Sequence, residues 1–169
     1  MSDASSWRVE ELTREIAAHA QTKRLDAALE SWTAIESEGL KPSMHTYAAM
    51  INAHVVSGDV AGAEQLMRRM RAAGFRPNIV VYTTVLKGHC AAGDLEAAQA
   101  LLHAMIRASP PVRPDHRTVN TFLRGCVRVG DLAAARWAWG MIETPWRLKP
   151  SDTATVAFGR LLSQVCVNR

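Results

Sequence analysis

Three residue types recur along this chain in one shared register. Pro42, Pro77, Pro114 and Pro150 lie 35, 37 and 36 residues apart, and Ala28, Ala63, Ala98 and Ala135 lie 35, 35 and 37 apart. Gly58, Gly93 and Gly130 are spaced 35 and 37, and each is followed by Asp and then Val or Leu. Self-similarity at such a period marks an array of supersecondary units, each too small to bury its own apolar face and therefore stacked on its neighbour. The repeats run over 9–43, 44–78, 79–115 and 116–151, after a lead-in at 1–8, and 152–169 is the first half of a fifth. The residues that lengthen the third and fourth repeats fall around 109–112 and 144–146, where exposed turns tolerate insertion.

Inside a repeat the pattern is that of a helical hairpin. Tyr47, Met50, Ile51 and His54 recur at spacings of three and four, and so do Val60, Ala63, Leu66, Met67 and Met70 after Ser57-Gly58-Asp59. Each set falls on one helical face. Gly58 suits the left-handed residue that ends a helix, and Asp59 suits the cap of the next. Lys23-Arg24 stands where the first repeat should carry this device. The recurring alanines are expected where paired helices approach closely, and the four prolines are expected to stop each second helix. Ser43, Asn78, Asp115 and Ser151 follow the prolines, and all are good N-caps. Tyr47 and Tyr82, which open the buried stripes, read as core. Trp32 and Trp139 read as packing residues, and Trp137 and Trp146 as candidates for an exposed contact surface.

Composition narrows the function classes. No stretch approaches the roughly 20 apolar residues that cross a bilayer, so no membrane partner is expected. Residues 1–15 carry Asp3, Glu10, Glu11 and Glu15 and show no apolar signal core or acid-poor transit character. Cys90, Cys126 and Cys166 are widely separated, which fits small buried hydrophobes rather than a disulfide framework or metal site. The six His residues show no His-x-x-x-His pattern, and no nucleophile elbow, carboxylate pair or phosphate-cradling glycine loop stands out. Neither a cofactor nor enzyme chemistry is expected within this chain. The formal net charge is +4, but residues 1–43 hold 5 Lys/Arg against 8 Asp/Glu, and 44–169 hold 15 against 8. A basic body suits a polyanionic partner, as it also suits an arginine-coated soluble surface.

The stretches Tyr82-Thr-Thr-Val-Leu-Lys-Gly-His-Cys, Gly93-Asp-Leu-Glu-Ala-Ala and Gly74-Phe-Arg-Pro-Asn resemble the pentatricopeptide repeat family, P-type in character. The period of 35 or more and the proline next to the last position separate it from tetratricopeptide repeats. The resemblance covers about residues 9–169 and implies an all-α fold, a right-handed α-solenoid of helix-turn-helix repeats. It also implies single-stranded RNA on the face made by first helices, about one base per repeat. The fifth and last residues of each repeat would read the base: Thr13 with Ser43, Ala48 with Asn78, Thr83 with Asp115, and Asn120 with Ser151. By the family's code Thr83/Asp115 resembles a guanine reader and Asn120/Ser151 a pyrimidine reader, whereas the first two pairs are not clear code words. His45, Val80 and Arg117, second in their repeats, would pack on base faces, and Glu10 is a poor match there. Where the family often has a phosphate-facing lysine, Gln21, Val56, Ala91 and Arg128 stand, so that phosphate would be met by Arg128, the one basic residue of these four, with Lys87 and Arg124 one turn earlier on their helices.

These residues have other readings. N-capping alone accounts for Ser43, Asn78, Asp115 and Ser151. The chain also reads as a protein-interaction scaffold in a larger RNA–protein assembly, or as the targeting arm of an RNA-processing or RNA-modifying enzyme whose catalytic domain lies elsewhere. The family resemblance implies a mitochondrion or chloroplast, with the cytoplasm as the alternative. The half repeat, with Val156, Phe158, Leu161, Leu162 and Val165, leads one to expect a continuing solenoid or an end docked on a partner.

Overall fold

Helix-forming runs alternate with glycine-led turns, and the backbone follows them. The computed structural model describes residues 3–143 together with Thr155, Val156 and Gly159. It shows eight helices among the described residues and no strand: α1 (Asp3–Gln21), α2 (Leu25–Ser37), α3 (Met44–Val56), α4 (Val60–Ala72), α5 (Ile79–Ala92), α6 (Leu95–Ile106), α7 (His116–Val129) and α8 (Leu132–Glu143). Pro150, Ser151, Trp146, Cys166 and the half repeat's Phe158, Leu161, Leu162 and Val165 lie outside the described residues. Two compact units divide the chain, Met1–Gly88 and His89–Arg169.

In the first unit α1 packs on α2 and α3, and α3 packs on α4. Ile16, Ile35, Met50, Ile51 and Met70 are wholly buried. Trp32 meets Tyr47 edge-on at 5.2 Å between ring centroids, and Tyr47 meets Phe75 at 5.9 Å. Tyr47 and Tyr82 are therefore core, as their place in the stripe predicts. In the second unit α7 packs on α8 and on α6 around Met105, Phe122 and Leu123. Trp137 is half-buried, 5.7 Å from Phe122 and 5.1 Å from His103. That corrects the expectation of an exposed surface: the indole fills the space between three helices.

The four recurring alanines, Ala28, Ala63, Ala98 and Ala135, have no exposed surface, as expected for residues at the closest approach of paired helices. Gly125 is a tighter case. A Cβ there would fall 2.8 Å from the sulfur of Cys90 and 2.9 Å from its Cβ, so only glycine lets α7 lie this near the end of α5. Cys90 and Cys126 are free and buried, and burial pushes their thiols up to about 11 and about 12.

The hairpin turns repeat one device. Gly58 stands at φ +86, and the amide of Asp59 returns to the carbonyl of His54, the hydrogen bond that closes a helix in a left-handed turn. Asp59 then accepts from the amide of Gly62 at 2.9 Å, Asp94 from Ala97 at 2.9 Å, and Asp131 from Ala134 at 2.9 Å. Asp59 also lies 2.8 Å from Nδ1 of His54. The first hairpin makes the same turn with Lys23 at φ +56, and Arg24 caps α2 without a side-chain hydrogen bond.

The ends of the second helices correct a sequence expectation. α2 stops at Ser37 and α4 at Ala72, well before Pro42 and Pro77. The stop is made by Gly39 and Gly74, both at positive φ, with the amides of Leu40 and Phe75 returning to the carbonyls of Ile35 and Met70. α6 likewise ends at Ile106, before the exposed Ser109-Pro110-Pro111. The prolines mark the approach to the next helix rather than the end of the last one.

Candidate nucleic-acid interface

The last residue of each of the first three repeats sits at the mouth of the following first helix because its side chain caps it. Ser43 accepts from the amide of Thr46 at 3.1 Å, and Thr46 Oγ1 accepts from the amide of Ser43 at 3.1 Å, a reciprocal capping box on α3. Asn78 Oδ1 accepts from the amide of Val81 at 3.1 Å on α5. Asp115 Oδ1 accepts from both the amide and the hydroxyl of Thr118, each at 2.8 Å. Partial burial of Asp115 works against its charge, but the bonds from Thr118 and the nearby Arg117 hold the carboxyl below the usual carboxylate range. Capping explains these residue types.

In the first unit the positions implied by the family pattern come together. Thr13 on α1 and Ser43 ahead of α3 line one groove of about 750 Å³, and Glu10 and His45 line it too. Thr13 is bound to Thr46 at 2.8 Å and Ser43 is bound to Thr46 at 2.9 Å, all hydroxyl to hydroxyl. Thr46 was not expected from the sequence, nor were the groove's Ser5, Ser6, Arg14, Gly39, Leu40 and Lys41. Ser5 and Ser6 belong to the lead-in, which is helical from Asp3 and continuous with α1. Arg14 and Lys41 bring positive charge to a groove that also holds the Glu10 carboxylate.

The other sequence-predicted residues fall as follows. Ala48 is half-buried in α3, and His45 is exposed in its first turn. Val80, exposed to 61%, and the exposed Lys87 stand on α5, with Thr83 half-buried. On α7, Arg117 and Arg124 are exposed and Asn120 is half-buried. Arg128 is differently occupied: its guanidinium donates to the backbone carbonyls of Cys90 at 2.6 Å and of Ala91. Those are carbonyls of the last turn of α5, which a cation satisfies well. Among the described residues no group of three His, Cys, Asp or Glu is placed to hold a metal ion, and no helix is long and apolar enough to cross a membrane.

The model of the PPR repeat family matches residues 46–91 and 77–128. The chain belongs to the pentatricopeptide repeat family. No curated protein matches it. Among solved structures, the pentatricopeptide repeat protein PPR10 from maize is similar, with a TM-score of 0.80 and 22% identity, over 93% of this chain and 22% of the maize chain. Nuclear proteinaceous RNase P 2 from A. thaliana is similar with a TM-score of 0.76 and 15% identity, over 92% of this chain and 35% of that one. The pentatricopeptide domain of Arabidopsis thaliana protein-only RNase P 1 is similar with a TM-score of 0.70 and 16% identity, over 83% of this chain and 71% of that one. This pentatricopeptide chain thus spans 22% of the maize protein and 35% of the nuclear RNase P chain it matches. Its fold is theirs, an all-helical array of hairpin repeats.

Proposed function

We propose that this chain is a single-stranded RNA-binding module of the pentatricopeptide type, acting in organellar RNA metabolism. The observation that carries the reading is the first-unit groove, where Thr13, Ser43, Glu10 and His45 line one space beside the mouth of α3. The maize protein was crystallised in complex with an 18-nt psaJ RNA element, and the domain of protein-only RNase P 1 in complex with tRNA. In this reading Thr13 and Ser43, Ala48 and Asn78, Thr83 and Asp115, and Asn120 and Ser151 face successive bases. His45, Val80 and Arg117 pack on base faces, and Lys87 and Arg124 meet phosphates. A base stacked on a protein surface contributes about 1–3 kcal/mol, so four repeats hold a short strand weakly to moderately and select among few sequences.

The experiment is binding of short RNAs of varied sequence, by fluorescence anisotropy, across a salt series. Measurable binding that weakens with salt supports the module. No binding of any single strand refutes it and leaves the scaffold reading. A second reading, the targeting arm of a longer RNA-processing enzyme, is favoured by one observation: the chain covers only 35% of an RNase P chain whose helical repeats it resembles.

A further inference from the structure

The hydroxyl hydrogens around the first-unit groove can be assigned one by one. Thr13 donates its hydroxyl to the carbonyl of Val9 at 2.6 Å, which consumes its only hydrogen. Its 2.8 Å bond to Thr46 must then use the hydrogen of Thr46. The 2.9 Å bond between Ser43 and Thr46 must in turn use the hydrogen of Ser43. The relay therefore runs in one direction, Ser43 to Thr46 to Thr13 to the Val9 carbonyl. Thr46 is wholly buried and anchored by two backbone bonds with Ser43. The hydroxyls of Thr13 and Ser43 have no hydrogen left to offer the groove, and each keeps a lone pair; among the donors that line it are Ser5, Ser6, Arg14 and Lys41. The Glu10 carboxylate lining the same groove is an acceptor as well.

We infer that Thr46 is a positioning residue that makes the Thr13 and Ser43 hydroxyls acceptors only toward the groove, so that this pair takes a nucleobase edge bearing an amine and disfavours uracil. Adenine and cytosine present an exocyclic amine, and guanine presents an amine beside a ring N–H. Uracil alone has no amine, and its carbonyl oxygen set where another base carries one would face the lone pairs of Ser43 and Thr13, acceptor against acceptor. Thr46 touches no base itself. It acts by fixing which way the hydrogens of its two neighbours point.

The inference rests on the RNA-binding reading, and the test separates the two. A pool of eight-nucleotide RNAs randomised at every position is bound to the purified chain, and the retained fraction is sequenced. The wild type should deplete uracil at one position, on the order of tenfold relative to the best base. Thr46→Val keeps the shape but removes the relay, freeing the Ser43 hydroxyl to donate, and should abolish that depletion at that position alone. Thr46→Ser, which keeps the hydroxyl, should restore it. Thermal melts show whether each protein is folded, and Thr46→Ala, which also removes the hydroxyl and should likewise abolish the depletion, carries the test if the valine variant is not. Uracil retained as well as the other bases at every position, or an unchanged pattern in folded Thr46→Val, overturns the inference while leaving RNA binding intact. A wild type that retains no RNA overturns both.

Discussion

The first hairpin turn lacks the device that the other three share, and installing it should stabilise the protein by an amount that can be worked out. Lys23 holds φ +56, where the others place glycine. A left-handed backbone costs a residue with a side chain about 1–2 kcal/mol. Glycine gives back roughly 0.4–1 kcal/mol of that through its freer unfolded chain. Lys23→Gly alone should therefore gain about 0.5 kcal/mol. Arg24 caps α2 without a side-chain bond, whereas an aspartate there should accept from the amide of Ala27 as Asp59 accepts from Gly62. Such a cap contributes about 1 kcal/mol, and replacing a cation by an anion at a helix N-terminus adds about 0.3–1 kcal/mol. The double variant Lys23→Gly/Arg24→Asp should gain about 2 kcal/mol, raising Tm by roughly 4–8 °C for a chain of this size. Circular dichroism melts and urea titrations measure it. Hydrogen exchange should place the slowed amides in α1 and α2, because repeat arrays transmit stability chiefly between neighbours. A double variant no more stable than wild type would refute the account of this turn.

Further outcomes follow from other parts of the molecule. Gly125→Ala drives a Cβ to within 2.8 Å of the Cys90 sulfur and should cost about 1–3 kcal/mol by chemical denaturation, as overpacking does. Cys90→Ala should relieve only part of this, because its own Cβ stays 2.9 Å away. Arg128→Ala should lower stability by stranding the carbonyls of Cys90 and Ala91, with the salt slope of RNA binding unchanged. Lys87→Ala with Arg124→Ala should instead flatten that slope by about 0.7 for each phosphate no longer neutralised, and equal slopes would remove both residues from the interface. Asp59, held low by the Gly62 amide and then by His54, and Asp115 have depressed carboxyls in the folded chain. Their contribution is fully present above the unfolded carboxylate value of about 3.9 and is lost as pH falls through the lower folded values. Acid titrations of Asp59→Asn and Asp115→Asn should show a shallower loss of stability below that point than wild type. By the family's code, Asp115→Asn should also move the third repeat from guanine towards adenine in the randomised-pool selection, with Tm little changed because Asn also caps well.

The hairpins were legible because their turns make demands that few residues meet. A left-handed backbone followed by an open amide asks for Gly-Asp, and the chain shows it at Gly58, Gly93 and Gly130. The caps Ser43, Asn78 and Asp115 were legible for the same reason, and so were the buried alanines. The helix ends were misassigned to proline because proline breaks a helix wherever it falls, whereas Gly39 and Gly74 close one only when a residue beyond them returns its amide to the last turn. Trp137 was misjudged because exposure depends on which helices crowd it, here the one bearing Phe122 and the one bearing His103. Thr46 was overlooked because its role needs Thr13, a partner on a helix distant in sequence. Only the capping pattern Ser43-x-x-Thr46, repeated at Asp115-x-x-Thr118, hinted at it. Ser5 and Ser6 escaped because the repeat register begins at residue 9, although α1 already starts at Asp3.

A helix that has already ended and a successor opened by its own cap leave the residues between them with no fixed length to keep. In the second unit α6 is finished at Ile106 and α7 begins from Asp115, and each boundary is set by bonds to its own helix. The stretch between behaves as an expansion joint. Lengthening it around Ser109-Pro110-Pro111 adds residues to the period outside both helices. In repeats of 35 and 37 residues the fifth and last positions can therefore be counted from the caps. An alignment at constant period would lose those positions, whereas one anchored on the cap and the glycine would keep them.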